Sequence, residues 1–200
     1  MKRLALLVAF LLIGGVAEAQ TSRAYIASVS GQATTSAYTL SIEAPSTEAV
    51  RITRICVGTS PATAAAAVTV TIQRRTTASS GGTALTNEGT GATAVSRRVS
   101  TDAVFPGIAR LGGTPGTAGA VLDQYSFVAG VIASAPGSMP FCKSYGEENY
   151  FDTSFADRIG ISPALVIPAG VANGILISVG AAGAGGLAAG SITADLIMGQ

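Results

Sequence analysis

Apolar residues recur at every second position over short stretches of this chain, the spacing of a β-strand with one buried face. Tyr38, Leu40 and Ile42 alternate with Thr39, Ser41 and Glu43, and Pro45 closes the stretch. Val68, Val70 and Ile72 alternate with Thr69, Thr71 and Gln73. Between these two, Val50 and Ile52 keep one phase while Ile55 and Val57 keep the other. Such a slip predicts a β-bulge or a strand buried on both faces. Further strands are expected at Val121–Val131, Leu165–Ile167, Gly174–Val179 and Ser191–Met198. No segment carries an i, i+3, i+4, i+7 stripe of useful length. Thr76 to Gly119 is rich in Gly, Thr, Ala and Ser and poor in large apolar residues, which predicts long loops with one weak strand. The fold class expected is all-β: a single β-sandwich or jelly-roll domain of antiparallel strands over 37–200.

The N-terminus has a different pattern. Lys2 and Arg3 precede the uncharged, mostly apolar run Leu4–Val16, and Ala17-Glu18-Ala19 follows as a small-x-small exit. That order is the signature of a secretory signal peptide over 1–19, cut before Gln20. The apolar run is shorter than the about 20 residues of a membrane span. The alternative is an N-terminal helix retained in an assembly. Residues 20–36 then form an N-terminal extension. The location expected is outside the cytoplasm (periplasmic, extracellular or cell-surface), with a virion as the alternative and no membrane span once the leader is removed.

Charge narrows the partners. Removing Lys2, Arg3 and Glu18 from twelve basic and eleven acidic residues leaves ten of each, with Lys143 the one remaining lysine. A neutral chain has no electrostatic grip on phosphate backbones, so nucleic acid is not an expected partner. Mean hydropathy is +0.49, high for a monomer in water. Exposed apolar strand surface is a liability unless another subunit covers it, and a homo-oligomer is expected, a trimer or a repeating assembly.

Histidine is absent. That removes Ser-His-Asp and Cys-His catalysis, histidine zinc sites and the usual neutral-pH proton shuttle. No catalytic residue and no resident metal or cofactor are expected. The one cluster with site chemistry is the loop 141–157, where aromatic Tyr145, Tyr150 and Phe151 lie beside Glu147, Glu148 and Asp152. Carboxylates beside stacking rings can hold a glycan, a structural calcium ion or a hydrolase pair, or can form an ordinary solvated loop. Cys56 and Cys142 fit either one disulfide, stabilising by about 4–5 kcal/mol on the chain-entropy model, or two buried thiols. Gly183-Ala184-Gly185-Gly186-Leu187-Ala188 matches a loose dinucleotide fingerprint, but a strand-like segment follows it, so a hairpin turn is expected instead. The doublets Arg74-Arg75 and Arg97-Arg98 are expected to pair with carboxylates across a sheet or subunit boundary.

The stretches Arg51–Gly58, Thr71–Thr77 and Gly81–Leu85, with the late Pro168-Ala169-Gly170 and Gly174-Ile175, resemble a loose class of small β-sandwich, jelly-roll-like structural proteins of bacteriophage and bacterial genomes. The likeness runs over most of 37–198. It implies a particle-surface or structural role with self-association, and the chain departs from the class by its export leader. The function expected is that of a non-enzymatic structural protein, a self-assembling sandwich on an extracellular surface or particle. The alternative is a secreted module binding a glycan or surface ligand through the 141–157 loop. The protein recovered from its natural source should begin at Gln20, read by intact mass or N-terminal sequencing; a chain retaining Met1–Ala19 would refute the leader.

Overall fold

A computed structural model describes residues 22–34, 37–61, 66–89, 93–129, 140–146, 165–182 and 187–199. The leader expected over 1–19 lies outside them. The strands are β1 (Arg23–Thr34), β2 (Ala37–Glu43), β3 (Val50–Pro61), β4 (Ala66–Arg75), β5 (Thr83–Ala84), β6 (Thr86–Asn87) and β7 (Thr93–Arg97). The chain continues through β8 (Ile108–Leu111), β9 (Ala118–Ala129), β10 (Phe141–Ser144), β11 (Leu165–Ile167), β12 (Gly174–Ala182) and β13 (Leu187–Met198).

They form two sheets. One runs β10-β3-β13-β1-β7-β6, with β11 also on β3; the other runs β5-β8-β2-β12-β4-β9. Every pairing is antiparallel except β6 with β7. From β1 to β4 successive strands alternate between the two sheets, and side chains one residue in two along each strand meet across a shared interior. Tyr25, Val29, Ile52, Ile55, Val57 and Ile192 from the first sheet and Leu40, Ile42, Val70, Ile72, Ile175 and Ile177 from the second belong to one buried core. The arrangement is an all-β, two-sheet sandwich.

The phase slip in β3 is a bulge. Asp195 pairs with Arg54 and Leu196 with Ile52, leaving Thr53 as the extra residue. The bulge lets Ile52 and Ile55 both point inward with no exposed surface.

Three expectations change. Arg23–Thr34 falls in the stretch set aside as an extension, yet β1 lies between β13 and β7 within a sheet. Its inward Tyr25, Ala27 and Val29 alternate with Ala24 and Ile26, so both phases are partly apolar and the period of two is blurred. The region 76–119 holds four short strands rather than one, and β7 and β8 each widen a sheet. Backbone bonds between Thr76 and Thr117 and between Ser80 and Thr114 tie its two halves together. Buried Glu43 accepts hydrogen bonds from the Ser79 backbone and hydroxyl, pinning this region to β2. Finally, residues 183–186, expected as a hairpin turn, lie outside the described residues, and the strands on either side, β12 and β13, sit in different sheets and do not pair with each other. A glycine-rich turn serves either purpose, and only the sheet assignment of its flanking strands distinguishes them.

Tyr38 bridges the interior. From β2 its hydroxyl donates to the Gly58 carbonyl at 3.0 Å on the opposite sheet. The ring lies over Gly190 of β13, where an added Cβ would come within 2.3 Å of ring carbons. Because the hydroxyl is tethered, the ring cannot swing aside. Gly190→Ala should therefore cost about 1–3 kcal/mol, measured by denaturant unfolding. The same substitution in a Tyr38→Leu background should cost clearly less, and equal costs would refute the contact.

Candidate functional site

The residues with the most site-like chemistry gather where β9 and β10, edge strands of opposite sheets, come together. Alternation along β9 turns Asp123, Tyr125 and Phe127 to one side, and alternation along β10 turns Phe141 and Lys143 to meet them. Phe127 and Phe141 stack with centroids 5.1 Å apart and planes 8° apart, and Tyr125 lies 5.3 Å from Phe141. Below them, Lys143 Nζ is 2.8 Å from Asp123 Oδ2 and sits over the Tyr125 ring at 5.2 Å. The Tyr145 hydroxyl donates to the same carboxylate oxygen at 2.9 Å. Asp123 thus pairs with Lys143, and the aromatic rings pack beside the half-buried pair.

Burial sets the proton chemistry. It pushes the Tyr145 hydroxyl far above its ordinary range, and the hydrogen bond to Asp123 adds to the shift. Tyr125 moves the same way through burial, then through the Asp123 charge. Its hydroxyl is buried without a hydrogen-bond partner among the described residues. Both phenols are neutral at physiological pH and too weakly acidic to shuttle protons there.

Tyr145, expected as a ligand contact, is buried at 1% exposure and serves the cluster from inside. Glu147, Glu148, Tyr150, Phe151 and Asp152 lie outside the described residues. Phe141, at 41% exposure, is the ring of the 141–157 loop that the structure presents to solvent among the described residues. Asp123, Tyr125 and Phe127 were not expected as members. They occupy alternate positions of a predicted strand, and nothing in that spacing says which neighbour they face. Cys56 and Cys142 are directly opposite in β3 and β10 and form a disulfide across a sequence separation of 86. It staples a four-residue edge strand to its sheet.

Elsewhere the charged groups serve the framework. Asp195, 8% exposed, receives Arg54 at 2.8 Å and Arg98 at 2.9 Å on the outer face of the first sheet. Arg97 pairs with Glu88 at 3.0 Å. Buried Arg75 donates to the Gly116 carbonyl at 3.1 Å, so that doublet member binds backbone rather than the expected carboxylate. An open cleft of about 440 Å³ borders Arg51, Val166, Ile197 and Met198, but its one carboxylate, Glu48, is paired with Arg23. Among the described residues no three Cys, Asp or Glu side chains converge as a metal site. The acidic residues named for calcium are outside that set. No described helix is long and apolar enough to cross a membrane.

Comparison with known families, curated proteins and solved structures finds no match for this chain.

Raised tyrosine pKa values carry a sign for stability. Folded Tyr38, Tyr125 and Tyr145 hold their protons more tightly than unfolded tyrosine, whose pKa is about 10. Their contribution is complete below that value and is lost as pH rises above it, by about 1.4 kcal/mol per pH unit for each phenol held neutral. Tyrosinate absorbance at 295 nm should therefore rise together with loss of the β circular-dichroism signal. Ionisation of all tyrosines with the fold intact would contradict the burial.

Proposed function

We propose that this chain is a non-enzymatic structural protein, an exported jelly-roll domain that self-assembles on an extracellular surface or particle. Strand order carries the reading. With β5–β8 and β11 set aside as additions at the sheet edges and the four-residue β10 kept, one sheet runs β1-β13-β3-β10 and the other β2-β12-β4-β9. In an eight-stranded jelly roll, strands one, eight, three and six form one sheet and strands two, seven, four and five form the other. The two orders correspond strand for strand. This architecture recurs in viral capsid domains, lectins and cupins, and fold alone does not select among them.

The side chains favour the structural member of that set. The chain has no histidine for a metal-centred reaction. The Lys143–Asp123, Arg98–Asp195 and Arg97–Glu88 pairs engage charge in holding strands together. The mature chain's zero net charge allows copies to approach without mutual repulsion. The resemblance to phage and bacterial structural sandwiches points the same way.

A glycan- or surface-ligand-binding module is the second reading, favoured by exposed Phe141 backed by Phe127. Light scattering coupled to size exclusion, at micromolar protein and high salt, tests the first. A multimer is expected, and Phe141→Ala should leave its size unchanged. A monomer whose binding to a glycan panel disappears in Phe141→Ala would establish the second reading and overturn the first.

A further inference from the structure

The sheet edges of this molecule are unequal. Among the described strands, β5 and β6 are two residues long, β11 is three, and β10 is four and stapled by the disulfide. Short edge strands are the usual protection against edge-to-edge pairing. The exception is β9, twelve residues long, paired on one side with β4 and ending the order of its sheet. Its register with β4 shifts twice toward its start: at Leu122, where Ile72 pairs with Asp123 and Gln73 with Val121, and again before Val121, where Arg75 pairs with Ala118. From Asp123 to Ala129 the register with β4 is unbroken. That regular stretch offers roughly 24 Å of strand edge, at about 3.4 Å per residue.

Nothing along this stretch repels another strand. It contains no Lys and no Pro, and its one charge, Asp123, is turned inward onto Lys143 and Tyr145. Its outward side chains, Gln124, Ser126 and Val128, are exposed and uncharged, and Val128 is 74% exposed. Leu122 and Val121 extend the apolar surface beyond this stretch.

We infer that the Asp123–Ala129 edge of β9 is the surface through which two copies of this chain join, antiparallel, into one continuous sheet. The occupant is a second copy because an uncharged antiparallel edge complements itself under a two-fold axis. With the axis near Ser126, each Gln124 faces Val128 of the other copy, and the two six-stranded sheets become one of twelve. This inference rests on the self-assembly reading and specifies its contact.

The test places charge on both exposed positions. Gln124→Lys with Val128→Lys sets like charges opposite each other across the two-fold, and Gln124→Glu with Val128→Glu does the same with the opposite sign. Each double variant should keep the wild-type β circular-dichroism spectrum, because neither side chain is buried within one chain. Each should weaken dimerisation by about tenfold or more, and an equimolar mixture should restore it. Hydrogen exchange on the unaltered protein supplies an independent readout: β9 amides should become protected as concentration rises. If wild type assembles and the lysine variant assembles equally well, the edge is not the contact while the assembly reading stands. A wild-type monomer overturns both. Protection of β9 that is independent of concentration would mean the chain covers its own edge, and would overturn the inference alone.

Discussion

The last two strands of the chain occupy the centres of its two sheets. β12 lies between β2 and β4, and β13 lies between β1 and β3. Neither sheet is continuous without them, since β1 never pairs with β3 and β2 never pairs with β4. Their inward residues, among them Ile175, Ile177, Val179, Ile192 and Leu196, are buried at 1% exposure or less. Burying side chains of that size contributes about 1.5–3 kcal/mol each. The N-terminal half therefore supplies flanks whose pairing partners arrive at the end of the sequence. Such long-range pairing carries a large loop-closure cost before any contact offsets it, and slow folding is the physical consequence.

The two edges next to this centre are treated differently. At β10, a four-residue strand is held by the Cys56–Cys142 bridge and by Phe141 stacked on Phe127. The Lys143–Asp123 pair ties the same strand across to β9. That cross-sheet contact closes the mouth of the sandwich and spends the loop's lysine and one carboxylate on structure. Among the described residues Phe141 alone combines ring area with exposure there, which is why a ligand-binding reading rests on it and not on Tyr145. The outward backbone of β9 receives no comparable cover among the described residues.

Charge in this molecule is scarce and local. Asp195 is reached by arginines from β3 and from just beyond β7, so three segments distant in sequence are pinned at one carboxylate. Glu43 plays a similar part for the residue 79 region. Partly buried groups of this kind are costly to leave unpaired, which confers specificity of register more than net stability.

Period-two alternation in Tyr38–Glu43 and Val68–Gln73 determined that these segments are strands, and the broken phase between Ile52 and Ile55 determined a bulge, because both are local consequences of the pleat. Absent histidine and balanced charge likewise restricted the chemistry without reference to any contact. β1 stayed hidden because Ala24 and Ile26 blur its alternation, a loss of signal that only its place between two partners resolves. The candidate cluster was half legible. Tyr145 drew notice by composition and Phe141 begins the loop so singled out, whereas Asp123, Tyr125 and Phe127 belong to it only because β9 and β10 sit at matching edges of opposed sheets. The cysteine bridge and the assignment of β12 and β13 to different sheets were decided in the same way. A pleat is written in neighbouring residues, but which strand lies beside which is a property of the whole chain packed around one core.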